Sequence, residues 1–333
     1  MNGRSLVAAL SFLAVVVLAP GPAAGQGRAR TPPRTPDGKP DIQGTFTFST
    51  ITPLQRPAGL EGKETLTAEE AAAFEASENK RQNRDLFDPE KGAPSAGYAP
   101  RAQGGVLSYN EFWYERGSQL TEDKRTSLIV DPPDGRIPFT EAARQKNAER
   151  AQKSNSGFAD SYTDRSLADR CIMGFNSGPP MISGAYNNNL QILQTPGYVV
   201  IVNEMVHNTR VIPTDGRPHG KIRLWAGDSR GRWEGNTLVV ETTNFLRETS
   251  LNGSTADTQL VERFTRVDPD TIKYEFTVKD PTSYTRPWSV MMPLQRTDGL
   301  LYEYACHEGN YGLHGIMAGA RAKDKADAER AKK

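Results

Sequence analysis

Residues 225–245 read WAGDSRGRWEGNTLVVETTNF, and the architecture of the chain turns on what they fold into. Within them, Gly227-Asp228-Ser229-Arg230-Gly231 matches G-x-S-x-G, the pattern of a hydrolase nucleophile elbow. An elbow requires a helix directly after the serine, so that the hydroxyl projects at a tight turn and the helix N-terminus helps to stabilise an oxyanion. Ser229 is followed instead by RGRWE, a Gly235-Asn236 turn and the β-branched run TLVVETTNF. That is strand, turn, strand, which makes Ser229 a residue at the entry to a hairpin and not a nucleophile.

The same alternation extends to both sides. From Leu190 to Cys306 the runs LQILQT, YVVIVNE, TRVIP, RGRWE, TLVVETTNF, TQLVERFTRV, TIKYEFTVKD, PWSVMMPLQR and LLYEYAC are separated by turn signals such as Pro196-Gly197, Asp215-Gly216 and Asp298-Gly299. These are about nine consecutive strands, and connections this short force antiparallel neighbours. In TIKYEFTV the residues Ile272, Tyr274, Phe276 and Val278 share one face, while Lys273, Glu275, Thr277 and Lys279 share the other. One face is buried and one is wet. A meander of roughly eight or more such strands closes into a barrel, which also removes its exposed edges. The expected fold is therefore mainly β, an antiparallel up-and-down barrel over residues 171–320 that includes a glycine-rich lid. Residues 41–170 supply strands and peripheral helices packed on it, and residues 321–333 form a charged tail.

Among the N-terminal elements, DIQGTFTF reads as a first short strand, and YNEFWYERG and TSLIVDPPDGRIP as further ones. Thr67 to Glu70 gives T-x-x-E ahead of AAAFEASENKRQ, a capping box that opens a helix. A second helix starts at Glu141. Neither offers much apolar surface, so both are expected at the periphery.

At its start the chain has Arg4, an apolar run from Leu6 to Ala19, and small residues Ala23 and Gly25. This is the layout of a secretory signal peptide over residues 1–25, cleaved before Gln26; the run falls short of the roughly 20 residues that a spanning helix needs. Residues 26–40, rich in proline, read as a flexible tether. The expected destination is the periplasm or the exterior, with no membrane insertion after cleavage. There, an even cysteine count favours a disulfide between Cys171 and Cys306. Lys plus Arg number 41 against 40 Asp plus Glu, and Arg4 is the one charge in the leader, so the mature chain is balanced. Balance without a basic cluster argues against a nucleic-acid partner. Nothing in the sequence sets an oligomeric state.

Three constellations carry possible chemistry. VNEMVHNTR crowds Asn203, Glu204, His207 and Arg210 at one polar corner, where a Glu/His pair is either a general base or a solvated turn. In TQLVERFTR, strand parity puts Glu262 on the inward side with Leu260 and Phe264, unless a bulge shifts the parity and leaves it exposed. An inward carboxylate needs a partner or a proton, and Arg286, beside Trp288, is the candidate partner. CHEGNYGLH brings His307, Glu308 and His314 together, but it is not H-E-x-x-H and its glycines oppose the helix such a site needs; no metal and no cofactor is expected. The aromatics, Trp233, Tyr274 and Trp288 among them, are wall or core residues, and some are candidates for lining a ligand pocket.

The stretches DGKPDIQG, TSLIVDPPDGRIP, DRC, PTDGRPH, GDSRGRWEGNTLVVETTNF, VERFTRVDPDTIKYEFTVKDPTSYTRPW and YEYACHEGNYGL, spread from about Asp37 to Arg321, resemble those of a widespread family of exported bacterial proteins of uncharacterised function. The resemblance implies export, a β-rich, lipocalin-like body and the pairing of the cysteines in DRC and YEYAC. Three functions are open at this point. The first is binding of a small, partly apolar ligand in the barrel lumen, by candidates among Glu262, Arg286, Trp288, Tyr274, Asn203, Glu204, His207, Arg210, Trp233 and His307. The second is an enzyme (hydrolase, lyase or isomerase) using a lumenal carboxylate or the Glu/His pair, and the third a cell-envelope interaction protein with a filled barrel. An open lumen favours the first two; a packed one favours the third.

Overall fold

The computed structural model describes residues 33–86, 111–155, 159–247, 251 and 253–332. The signal-peptide reading and the first part of the tether lie outside the described residues. At residues 33–40 the chain forms a turn, with Arg34 bridged to Pro40 and the Thr35 N–H bonded to the Lys39 carbonyl at 2.9 Å.

Ten strands form one sheet: β1 (Gly44–Thr47), β2 (Ile129–Asp131), β3 (Asn189–Thr195), β4 (Tyr198–Asn203), β5 (Thr209–Pro213), β6 (Asp228–Glu234), β7 (Thr237–Thr243), β8 (Gln259–Arg266), β9 (Thr271–Lys279) and β10 (Trp288–Arg296). Their order is β5-β4-β3-β1-β10-β9-β8-β7-β6, every pairing antiparallel, with β2 attached to β10 beside the main path. This is the expected antiparallel barrel, nearly closed. Ser229 lies inside β6, where it shares a 2.8 Å hydrogen bond with Thr242 of β7. The next element is another strand, so the elbow reading fails for the reason the sequence suggested. Glu234 pairs with Thr237 across a two-residue turn in which Gly235 takes φ +59°, the first position of a II′ hairpin.

The ninth strand is not where alternation put it. LLYEYAC, residues 300–306, has no strand, and Leu300 and Tyr302 are exposed. Its expected place beside β10 is taken by β1, whose Phe46 is fully buried between Leu190 of β3 and Arg296 of β10. A strand from the start of the described chain thus joins the two meanders β3–β5 and β6–β10. With both β1 and β2 on its free side, β10 has no edge left for residues 300–306.

Pro293 in β10 needs the same explanation. Met291 sends its N–H to the Leu128 carbonyl, and residue 293, two positions on, faces the same side. There β10 passes from β2, paired near Val290, to β1, paired from Gln295. The missing N–H falls in the gap between two partners, where proline costs least.

The end strands β5 and β6 meet by packing, with no ladder between them among the described residues. A Cβ on Gly231 would come within 2.9 Å of Thr214 and 3.0 Å of Ile212. Glycine therefore permits the close approach that seals the seam. The inward faces of all the long strands merge in one apolar core, including Phe46, Ile192, Ile201, Ile212, Phe264 and Met292.

Helix α1 (Ala68–Gln82) opens with the predicted capping box, both reciprocal bonds between Thr67 and Glu70 being present. It buries only Ala71, against a small separate cluster of Ile51, Leu66 and Leu120. Helix α2 (Glu141–Asn155) starts where expected. The stretch YNEFWYERG is not a strand; Tyr109 and Asn110 lie outside the described residues, and Glu111–Trp113 is a single 3-10 turn with Phe112 and Trp113 exposed. Three consecutive aromatics give no alternation, hence no face to bury. The glycine-rich lid is also revised. After the predicted disulfide, Cys171–Cys306, helix α3 (Tyr311–Arg330) runs through Gly312, Gly315 and Gly319 into the charged tail, capped by Asn310 Oδ1, which accepts from the Leu313 N–H at 3.2 Å.

Filling the Gly231 approach tests the seam. Gly231→Ala is expected to lower stability by about 1–3 kcal/mol through overpacking, read from urea unfolding midpoints. An unchanged midpoint would mean that β5 and β6 do not pack as described.

Candidate functional site

Parity placed Glu262 inward, and it is fully buried. Its partner is Arg210, the second residue of β5, facing it across the lumen: Arg210 Nη1 lies 2.5 Å from Oε2 and Nη2 donates to Oε1 at 3.0 Å. Tyr274 of β9 also donates to Oε1, at 2.7 Å, and the Met181 N–H donates to the tyrosine oxygen at 3.1 Å. The loop before β3 thereby plugs into the wall network. Burial alone would lower the Arg210 pKa, but the Glu262 charge and its hydrogen bonds hold it above the ordinary value. Burial, and then the Glu262 charge, push the Tyr274 pKa well up, so its hydroxyl stays a donor.

The Glu262 carboxylate and the Tyr274 hydroxyl are both engaged within the protein. The carboxylate accepts a two-pronged guanidinium and a phenol, the geometry in which a buried charge is best compensated. Nor, among the described residues, is there space beside it. A lumen holding water or a ligand would leave accessible surface on its lining, yet Glu262, Phe264, Tyr274, Val278, Ile201 and Ile212 have none. Trp288 is likewise fully buried, its ring edge-on to Phe276 at 5.9 Å and to Tyr284 at 5.7 Å. Trp233 is partly buried against the same core.

The other expected pairings are corrected. Arg286 is not the partner of Glu262; it sits at the surface and bonds Asp131 at 2.7 Å. Arg210 leaves the polar corner to serve the lumen, and Asn203 is buried beside it on β4. Glu204 and His207 do not form an acid–base pair. The two Glu204 oxygens accept from Asn189 Nδ2 at 2.9 Å and from the Tyr302 N–H at 3.1 Å. Meanwhile Val206 and His207 adopt φ of +50° and +41°, and His207 is exposed, as is His307.

What the sequence did not announce is the second member of that cluster. Glu115 accepts from the same Asn189 amide nitrogen at 3.0 Å, so one donor bridges two carboxylates. Partial burial and then the Glu204 charge raise the Glu115 pKa, against the bond from Asn189. Tyr186 stacks on Tyr304 nearby in the fold, with centroids 6.2 Å apart, and meets Tyr114 and Phe175 edge-on. No sequence period links residues 115, 189 and 204; register and loop closure do.

Open space lies outside the lumen. A cleft of about 520 Å³ separates α1 from the segments 50–57, 114–116 and 183–185, lined by Phe74, Ile51, Leu54 and Tyr114 together with Thr52, Ser183 and Arg116. Its floor is fixed by hydroxyls: Ser183 accepts from the Thr50 N–H at 3.2 Å and donates to the Thr50 carbonyl at 3.1 Å, and Thr50 donates to Thr52 at 3.1 Å. Arg116 lies over the Tyr114 ring at 4.7 Å. Two other cavities, of about 440 and 430 Å³, flank Met291–Pro293 and the disulfide. Among the described residues no group of three or more His, Cys, Asp or Glu is placed to hold a metal ion.

In comparisons with known proteins the chain matches no protein-family model and no curated protein.

Two outcomes follow from these clusters. Glu262→Gln strands the Arg210 charge and is expected to cost about 3–5 kcal/mol, whereas Arg210→Met with Glu262→Leu together cost far less than Glu262→Gln alone; equal losses in chemical denaturation would mean that the pair is not buried as a unit. For Glu115 the pKa is higher folded than unfolded, so its contribution favours folding below the unfolded value and is lost as pH rises through the folded one. Glu115→Gln should therefore be more stable than the parent at pH 7 and no more stable at pH 4. The reverse ordering in paired melts would contradict the assignment.

Proposed function

We propose that the protein is an exported binding protein for a small, partly apolar molecule, with the barrel as a packed scaffold and the cleft along α1 as the seat. One observation carries this reading: the 520 Å³ cleft joins an aromatic and aliphatic wall to a few fixed polar groups, in the range of roughly 300–1,000 Å³ typical of small-ligand sites. A lumenal seat is disfavoured by the complete burial of Glu262 and its neighbours. Acid–base catalysis at Glu262 is disfavoured by its engagement with Arg210 and Tyr274. The leader-like first 25 residues and the disulfide support export to the periplasm or beyond. Membership of the exported family suggested by its motifs is part of the same proposal.

Gln82, at the last turn of α1, lines the cleft and keeps part of its surface in water. Gln82→Trp should fill the cleft without disturbing the core. With anilinonaphthalene sulfonate as probe, the parent is expected to bind and enhance fluorescence, and Gln82→Trp to weaken binding by about tenfold or more, the cost of losing an apolar contact surface. Absence of binding by the folded parent, or equal binding by both, would refute a seat at α1.

A further inference from the structure

The C-terminal arm, residues 298–332, buries remarkably little for its length. Helix α3 has no buried residue. The hydrogen bonds joining the arm to the body include the Tyr302 N–H to Glu204 at 3.1 Å, Asn310 Nδ2 to the Asp169 carbonyl at 3.1 Å and to Cys171 Sγ at 3.3 Å, and the Arg321 guanidinium to the carbonyls of Ala159 and Asp160 at 3.2 and 2.9 Å. The Tyr304 ring stacks on Tyr186, and Arg321 lies 3.5 Å from the Asp160 carboxylate. The Arg321–Asp160 pair is exposed on both sides, and surface ion pairs of this kind are individually weak. The covalent tie is Cys171–Cys306.

That disulfide is not sealed in the core. Both cysteines line the 430 Å³ cavity, with Ala168, Tyr304, Asn310 and Leu313 on its walls, and Cys306 keeps part of its surface in water. A thiolate can reach a disulfide only with such access. On the other side, the barrel does not depend on the arm: β3 to β10 close through β1, and the core residues all precede residue 298.

We infer that Cys171–Cys306 is an exchangeable latch, and that its partner is a dithiol reductant such as the active-site pair of a thiol–disulfide oxidoreductase. In the exchange, one thiolate of the dithiol attacks a protein sulfur and its second thiol resolves the mixed disulfide. Two electrons and two protons pass to the protein, Cys171 and Cys306 leave as thiols, and the dithiol becomes a disulfide. Release of the arm uncovers what it covers: the Oε1 of Glu204, held by Tyr302, and the face of Tyr186, held by Tyr304. The arm is thus a strap over the Glu115–Asn189–Glu204 cluster and its aromatic neighbours, a site that adjoins the α1 cleft through Tyr114, whose ring Tyr186 meets edge-on.

The test uses the mature chain with dithiothreitol as the dithiol, without denaturant. Maleimide labelling followed by mass measurement reports thiols, and hydrogen exchange reports release. Expected are two labelled cysteines, exchange at residues 302–320 faster by about tenfold or more, and exchange in β7–β9 within about twofold of the oxidised protein. Cys306→Ser should show the same fast exchange with no reductant, and the parent measurement stands even where that variant fails to fold. A disulfide that resists reduction until the barrel unfolds overturns the inference. So does reduction with unchanged exchange in the arm, or reduction that removes protection from the barrel strands.

Discussion

The ion pair between Arg210 and Glu262 constrains more of this structure than any other contact. Two opposite charges stand inside an apolar barrel, and desolvation makes either one intolerable alone. They are compatible with folding only if β5 and β8, which are not neighbours in the sheet, face each other at the right height. That height depends on the β5–β6 seam, where Gly231 lets the strands approach, and on Tyr274 and Met181, which tie the third bond of the carboxylate to the β9 wall and the plugging loop. Sheet closure, seam and plug are set together.

A filled barrel directs function to the surface. Side chains that would line a cavity in a carrier are here the hydrophobic core, and Arg210, Glu262 and Tyr274 are bonded to one another within it. Among the described residues, peripheral features include the cleft by α1, the carboxylate pair under the C-terminal arm, and the cavities at the disulfide and beside Met291–Pro293. The first three are built from irregular segments and helix faces held by the barrel, the usual division of labour between rigid scaffold and loops.

Period-two alternation made eight of the barrel strands legible, because each has one wet and one buried face, and it placed Glu262 inward. It failed where the cause is not periodic. LLYEYAC alternates as well as any strand, but β1 had already taken its place, and nothing local to residues 300–306 records that. Arg286 was nearer to Glu262 in sequence and Arg210 nearer in space, since contacts across a lumen depend on closure and not on strand spacing. The Asn189 bridge between Glu115 and Glu204 is invisible for the same reason. The glycines of α3 misled in the other direction: one N-cap and a run of good helix formers outweigh them on a helix that packs against little.

The most direct check of a packed, ion-paired interior is proton exchange at its centre, observed by NMR. The account predicts a resolved Tyr274 hydroxyl proton and slowly exchanging Arg210 guanidinium protons, with no cross-peaks to water. Rapid exchange at both groups, with water cross-peaks, would reveal a solvated lumen and contradict it.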